Sequence, residues 1–239
     1  MKTNTLAHAE LEHWWHKSRR KIITDVFWRL YENEYKPRIL SVGASHGSEL
    51  AYLSQYGDVT GIDVCDKALA DCRKSGFQVE KADITSCKFP DESFDVVFAM
   101  DVLEHIPDHK KAYAEIFRLL KPGGHVVITV PACPFLWSAF DEMGDFPHQR
   151  RYTRRSLLAL LRDENFAFSI VSYFNFFLFP LIAITRKLPI KPSSHITVPP
   201  KVVNKIFEAI FSFERFVLRF MRFPIGVSLL AIGCKPGKK

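Results

Sequence analysis

The feature that most constrains the fold is a regular alternation of short apolar runs with stretches of helical spacing. The apolar runs cover residues 38–43, 58–63, 94–100 and 125–131, and turn residues bound each of them. The stretches of helical spacing cover residues 47–56, 67–75 and 109–120. Strands that alternate with helices form βαβ units, so the pattern predicts an α/β fold with a parallel sheet covered on both faces.

The segments around this core predict one domain with helical additions. A helical pattern runs over residues 10–35 and stops at Pro37, and a later helix over 153–165 has Thr153 as its N-cap. Strand-like runs over 166–174 and 225–234 enclose an insertion that a minimal α/β sheet does not need. We therefore expect a single domain, 1–239, with five parts. These are an N-terminal helical extension (1–36), a cofactor-binding core (37–133), a substrate loop, helix and strand (134–174), a hydrophobic and basic helical insertion (175–224), and the last strand and tail (225–239).

The net charge of +7 is unevenly distributed along the chain. Residues 1–150 carry 18 Lys and Arg against 22 Asp and Glu, whereas residues 151–239 carry 15 against 4. The five cysteines form no C-x-x-C pair, which argues against a disulfide framework or a zinc site. The N-terminus lacks an apolar leader, and the longest apolar run, 174–185, is too short to span a bilayer. These features predict a cytoplasmic protein.

Small residues and acids follow the predicted strands in an order typical of nucleotide-cofactor sites. The run 39–47 is a strand that enters a turn of small residues and then a helix, where glycine permits close approach of a ligand. Such turns also follow many parallel strands for steric reasons alone. Asp63 ends the next strand, 16 residues after Gly47, where it would accept hydrogen bonds from ribose hydroxyls or cap the following helix. Three further motifs follow: Ala82-Asp83-Ile84, the segment 94–106 and Leu119-Leu120-Lys121-Pro122-Gly123-Gly124.

Together these motifs resemble the class I S-adenosylmethionine-dependent methyltransferases, in particular the small-molecule group of type 11/12 with a "VLEHI" segment and an "LKPGG" turn. The resemblance covers about residues 38–132. It implies S-adenosyl-L-methionine as cofactor and a Rossmann-like, doubly wound, mostly parallel sheet of seven strands with helices on both faces. By the same resemblance, the cofactor-binding residues are Gly43, Ala44, Ser45, Gly47, Asp63, Val64, Asp83, Ile84, Met100 and Asp101.

The first motif departs from the family pattern at Ser41 and Ser45, where the family usually has an acid and a glycine. A missing carboxylate near the cofactor's ammonium loses a charge-assisted hydrogen bond worth on the order of 1.5–3 kcal/mol. Either Glu49 or ordered water compensates, or the affinity is reduced, or the site is degenerate. The intact ribose and adenine motifs favour an active enzyme.

Two flanking segments, 12–20 and 146–153, resemble a bacterial methyltransferase subgroup with a "WW…RR" helix and an "HxRRYT" loop. The loop follows the carboxyl end of a strand, where open α/β sheets bind ligands. We predict His148 as general base, His105 as a second candidate, and Arg150, Arg151, Tyr152 and Trp15 as substrate-binding residues. The alternative is that the arginines form a solvated helix start, that His148 caps a turn, that His105 is structural and that Trp15 packs in the core.

The segment 101–105 also resembles the D/E-x-x-E-H motif of ubiquinone-pathway O-methyltransferases, in which a divalent metal has been implicated. Three candidate ligands within five residues are a weak signal, so we predict no metal site.

Residues 201–223 show the clearest helical periodicity of the chain, with a narrow polar stripe on an otherwise apolar helix. The stripe consists of Lys201, Lys205, Glu208, Ser212, Arg215, Arg219 and Arg222. Such a helix fits a membrane interface, with its cationic edge toward the headgroups, or a hydrophobic tunnel for a lipid-like substrate. The alternative is internal packing or a homodimer. Membrane contact would place the protein on the inner membrane face through residues 175–224.

The sequence thus predicts an S-adenosylmethionine-dependent methyltransferase that modifies an oxygen or nitrogen of a small or lipid-linked acceptor. The alternative is a degenerate methyltransferase fold that serves as an adaptor or a membrane-associated binding protein. Nucleic acid is not an expected partner, because the basic stripe and the phenylalanines of 201–223 lie on opposite faces of the predicted helix.

Overall fold

A computed structural model describes residues 10–31, 35–163, 165–188 and 198–237. Parts of three predicted segments lie outside these ranges: 1–9 and 32–34 of the N-terminal extension, 189–197 of the insertion, and 238–239 of the tail. Residue 164 of the predicted helix 153–165 also lies outside them.

Seven strands form one sheet in the order β3-β2-β1-β4-β5-β7-β6. The strands are β1 (Arg38–Val42), β2 (Asp58–Asp63), β3 (Val79–Lys81), β4 (Phe94–Met100), β5 (Leu120–Pro131), β6 (Ala167–Phe174) and β7 (Ser228–Cys234). Strands β1 to β5 pair in parallel, whereas β7 runs antiparallel to both β5 and β6. The predicted α/β fold with a mostly parallel seven-stranded sheet is confirmed.

Seven α-helices that lie within the described residues accompany the sheet. They are α1 (Trp14–Trp28), α2 (Ser48–Leu53), α3 (Asp66–Lys74), α4 (His109–Leu119), α5 (Arg154–Asp163), α6 (Phe179–Lys187) and α7 (Lys201–Val217). Thr153 precedes α5, and its hydroxyl accepts a hydrogen bond from the Ser156 amide at 3.0 Å, as expected of the predicted N-cap. Helices α6 and α7 lie in the insertion between β6 and β7.

Both faces of the sheet are buried, which is why its central strands are continuously apolar. In β4, Val96 and Phe98 point into a core shared with α1 and α7, whereas Val97 and Ala99 point into a core with α4 and α5. This alternation follows from the two-residue repeat of a strand. The predicted doubly wound arrangement therefore has its physical basis in buried side chains on both sides.

Three members of the predicted polar stripe, Glu208, Ser212 and Arg219, contact α1 and so do not face headgroups, whereas Lys201, Lys205 and Arg222 are exposed. Buried Phe211 fills the space beside these polar contacts. The contacts are Glu208 with Lys21 at 2.6 Å, Ser212 with Ser18 at 3.0 Å and Arg219 with Asp25 at 3.1 Å. The face turned to solvent is apolar instead. It includes Val202, Ile206, Ile210, Phe213, Phe216 and Phe220.

Candidate active site

The turn after β1 has a backbone that glycine favours. Gly43 and Gly47 have φ angles of +76° and +87°, and Ser45 between them has φ +44°. A side chain in the left-handed region costs on the order of 1–2 kcal/mol. The Ser45 amide offsets part of this cost by donating a hydrogen bond to an Asp63 carboxylate oxygen at 2.9 Å. Ser45 therefore holds a left-handed conformation that favours glycine.

The two acids predicted to contact a nucleoside lie at neighbouring strand ends. Asp63 ends β2, and its second oxygen accepts a hydrogen bond from the Cys65 amide at 2.8 Å. Each oxygen of this half-buried carboxylate accepts one hydrogen bond from the backbone and retains capacity for a second. Asp83 follows β3, accepts a hydrogen bond from the Thr85 amide at 2.8 Å and precedes buried Ile84. Exposed Val64 lies directly after Asp63.

A cavity of about 480 Å³ opens beyond the carboxyl ends of β4 and β5. Met100 ends β4, and Asp101, which follows it with φ +54°, lines the cavity. The structure gathers four further predicted residues around this cavity: Trp15, His105, His148 and Arg151. Helix α1 supplies the indole of Trp15, and α6 closes the opposite side with Ile182, Thr185 and Arg186.

Asp141 organises the polar wall of the cavity, although its side chain is fully buried. One carboxylate oxygen accepts hydrogen bonds from Arg151 Nη1 at 2.6 Å and pairs with His148 Nδ1 at 3.0 Å; the other accepts from Arg186 Nη1 at 2.6 Å. Burial acts in the opposite direction, but the His148 hydrogen bond and the two arginine charges hold the pKa of Asp141 below its usual range. Asp141 is therefore ionised at neutral pH and directs the other ring nitrogen of His148, Nε2, away from itself.

Glu104 lies beside His148, with Oε1 3.9 Å from His148 Nε2. The residue is fully buried, and neither carboxyl oxygen has a hydrogen-bond partner among the described residues. Burial and the nearby Asp101 charge raise the pKa of Glu104 well above its usual value. The His105 ring packs edge-on against that of His148 at 4.7 Å, and burial lowers the pKa of His105. Ligand atoms of Glu104, His105 and His148 lie within 4.8 Å of one another, a spacing that is also compatible with a metal ion.

Arg150 and Tyr152 do not line the cavity. The Arg150 guanidinium donates hydrogen bonds to the carbonyl oxygens of Ile106 and Pro107, so it stabilises the loop between β4 and α4. Tyr152 is 2% exposed, and its hydroxyl contacts His109 Nδ1 at 2.7 Å inside the core. Tyr152 forms an isolated β-bridge with Ala132, so the chain is extended here. Successive side chains of an extended chain alternate in direction, and Arg150 and Arg151 therefore point to different sides.

Sequence reasoning did not single out Asp141, Arg186 or Phe140 as site residues. Asp141 stands seven residues before His148 without a motif around it, and Arg186 belongs to the insertion. Only the fold brings α6 to the end of β5. The available signal was the group of acids at Asp141, Glu142 and Asp145, which directly precedes the "HxRRYT" loop and its arginines.

Residues 40–128 match the methyltransferase domain family. A phosphoethanolamine N-methyltransferase of Plasmodium falciparum is 30% identical over 146 residues, which cover 57% of this chain and 53% of that protein. A ubiquinone biosynthesis O-methyltransferase of Pseudomonas fluorescens is 37% identical over 97 residues, which cover 37% of this chain and 42% of that protein. The chain therefore spans about half the length of these relatives or less.

Similarity to solved structures extends over most of the chain. A crystal structure of an S-adenosylmethionine-dependent methyltransferase from Mesorhizobium loti superposes with a TM-score of 0.59 at 17% identity, covering 87% of this chain and 95% of that one. At this identity, the similarity establishes the fold. Among the helices in the described ranges, none is long and apolar enough to cross a membrane.

Proposed function

We propose that this chain is a class I S-adenosylmethionine-dependent methyltransferase, because residues 40–128 match the methyltransferase domain family, and that it methylates an oxygen or nitrogen of a small or lipid-linked acceptor in the cavity beyond β4 and β5. The observation that carries this proposal is the pairing of His148 with buried Asp141 at the cavity wall. The two matched relatives act through N- and O-methylation, so the similarity alone leaves both acceptor atoms open.

The residues of the first four strand ends fit the cofactor. Asp63 retains hydrogen-bond capacity on both oxygens for a ribose diol, and Asp83 with Ile84 would flank the adenine. The left-handed turn at Gly43 and Gly47 would pass under the methionine portion, and Met100 with Asp101 would lie behind the sulfonium. When bound, the cofactor supplies an electrophilic methyl group, so the protein has to position the acceptor and remove its proton.

His148 suits the role of general base. Ionised Asp141 fixes the Nδ1 proton of His148, so Nε2 carries the lone pair that accepts a proton from an acceptor hydroxyl or ammonium. Burial raises the pKa of Glu104, which lies next to Nε2. His105 packs against the ring of His148 and keeps its orientation.

The cavity wall favours an acceptor with both an apolar and an anionic part. Trp14, Trp15 and Phe140 give the wall an apolar surface, whereas the Arg151 and Arg186 guanidiniums share one carboxylate. The group formed by Arg151, Arg186 and Asp141 therefore carries one net positive charge, which favours a phosphate or carboxylate on the acceptor. Trp15 and Arg151 are the predicted substrate-binding residues that this arrangement supports.

We also propose that α6 and α7 bring the cavity to a membrane surface. Helix α6 lines the cavity with Ile182 and exposes Ile184, which is 62% accessible. On α7 and just after it, Val202 and Phe220 are 71% and 90% exposed, and exposed Lys201 and Lys205 lie at the same end as Val202. Apolar side chains flanked by lysines suit the interface of an anionic bilayer.

The enzymatic proposal is tested with S-adenosylmethionine carrying a radiolabelled methyl group and with cell extract separated into water-soluble and lipid fractions. We expect label to enter one fraction with the wild type, and His148→Asn to lower the rate on the order of 100-fold without loss of cofactor binding. His109→Asn, which changes a histidine outside the cavity, serves as the control. Absence of both transfer and cofactor binding would instead favour the adaptor.

The membrane proposal is tested by co-sedimentation with vesicles of phosphatidylglycerol and phosphatidylcholine. We expect Val202→Ser with Phe220→Ser to reduce binding, because both side chains are largely exposed and support little of the fold. Unchanged co-sedimentation would contradict the proposal. Concentration-dependent dimerisation lost in the same variant would assign this face to a second copy.

A further inference from the structure

Two consecutive arginines of α1 lie buried against the turn that follows β1. The Arg19 guanidinium donates one hydrogen bond to the Asp101 carboxylate and one to Glu49, which lies in the first turn of α2. The side chains of Arg19 and Glu49 are 7% and 10% exposed. Because β1 and β4 are neighbours in the sheet, this cluster spans the gap between their carboxyl ends.

The cluster leaves buried donors and an acceptor unused. Arg19 Nε, Arg20 Nη1 and Glu49 Oε2 make no hydrogen bond among the described residues. Arg20 Nη1 lies 4.0 Å from the other Glu49 oxygen, and the Arg20 side chain is 4% exposed. An unpaired buried polar atom costs roughly 1–3 kcal/mol, and more when the group is charged. Two cationic donors beside one anionic acceptor are complementary to a zwitterion.

We infer that Arg19, Arg20 and Glu49 bind the amino-acid end of the cofactor, with the guanidiniums on its carboxylate and Glu49 on its ammonium. The inference rests on the cofactor assignment above. It supplies from α1 and α2 the charge that Ser41, buried in β1, does not provide. It also gives a role to the paired arginines of the N-terminal helix.

The alternative is that the arginines only fasten α1 to the sheet. A purely structural arginine would affect every ligand of the site alike, whereas a binding arginine affects only ligands with a carboxylate. Three ligands separate these cases: S-adenosylhomocysteine has both charged groups, decarboxylated S-adenosylmethionine lacks the carboxylate, and 5′-methylthioadenosine lacks the whole amino-acid end.

The experiment measures dissociation constants of the three ligands by titration calorimetry. Arg20→Gln should raise the dissociation constant of S-adenosylhomocysteine about 10- to 100-fold and change those of the other two ligands less than about threefold. Glu49→Gln should weaken both ligands that carry the ammonium and spare 5′-methylthioadenosine. Arg29→Gln is the matched control, since Arg29 lies just beyond α1 with its side chain 48% exposed and should change none of the three.

Arg19→Lys keeps the charge between Glu49 and Asp101 and provides a second variant if Arg20→Gln does not fold. This substitution should also weaken the binding of S-adenosylhomocysteine selectively, because a lysine ammonium cannot bind a carboxylate bidentately as the planar guanidinium does. An equal loss for all three ligands in every folded variant would overturn the inference and leave the cofactor assignment intact. Failure of the wild type to bind any of the three would overturn both.

Discussion

Asp141→Asn provides a strong test of the site, because the carboxylate is fully buried and pairs with two guanidiniums. The Arg151 and Arg186 contacts are both 2.6 Å long, and His148 adds a third polar contact. Removing one partner from a buried ion pair destabilises a protein by about 3–5 kcal/mol, since the remaining charge stays uncompensated. In a domain of this size, 1 kcal/mol shifts the melting temperature by about 2–4 °C, so we expect a decrease of about 6–20 °C.

The assay is thermal unfolding followed by circular dichroism, with Asp91→Asn as the matched control. Asp91 also lies 2.6 Å from an arginine, Arg118, but its side chain is 74% exposed. An exposed pair contributes about 0–1 kcal/mol, so the control should unfold near the wild-type temperature. Equal melting temperatures for the two variants would refute the role assigned to burial.

The same substitution has a predictable pH dependence. The pKa of Asp141 is lower in the folded protein than in the unfolded chain, so its stabilisation is complete above the ordinary aspartate range. That stabilisation is lost as the pH falls below about 4. The difference in unfolding free energy between wild type and Asp141→Asn should therefore shrink with acidification. A difference that stays constant down to pH 2 would show that the carboxylate charge is not responsible.

Two further substitutions test other parts of the structure. Gly43→Ala should cost about 1–3 kcal/mol in urea unfolding, because a Cβ at φ +76° would lie 2.4 Å from Val102 Cγ2. Gly123→Ala should cost less, because a Cβ at this residue (φ +79°) would contact nothing among the described residues. Only the conformational part of the cost then remains. Glu214→Gln should reduce the pH dependence of stability between about 4.5 and 7. Burial raises the pKa of Glu214 from 4.5 to about 7, so wild-type stability falls by at most about 3 kcal/mol as the pH rises through this window. An unchanged slope in urea titrations at these pH values would contradict the assignment.

The core of the fold was predictable because its strands are buried on both faces and therefore appear as uninterrupted apolar runs. The predicted runs 58–63 and 94–100 coincide with β2 and β4. The start of β5 was missed, since it begins at Leu120 and includes the glycines predicted as a turn. A backbone bond from the Lys235 amide to the Gly124 carbonyl extends the pairing there, and such distant partners leave no local signal.

The candidate site was predictable where one strand end supplies the residue and obscure where distant segments meet. Asp63 was identified from its position at the end of β2, whereas no sequence spacing connects Asp141 with Arg186, 45 residues later. The orientation of α7 could not be predicted from the sequence either. Periodicity identifies a polar stripe but does not reveal that a helix nearly 200 residues earlier offers Ser18 and Lys21 to it.

The position of β7 bears on how the chain folds during synthesis. This strand is the last described element in sequence, yet it lies inside the sheet between β5 and β6. Until it emerges, β5 keeps an open edge and β6 has no partner strand. Open apolar edges are templates for intermolecular pairing, so the nascent chain exposes such a template until β7 has been synthesised.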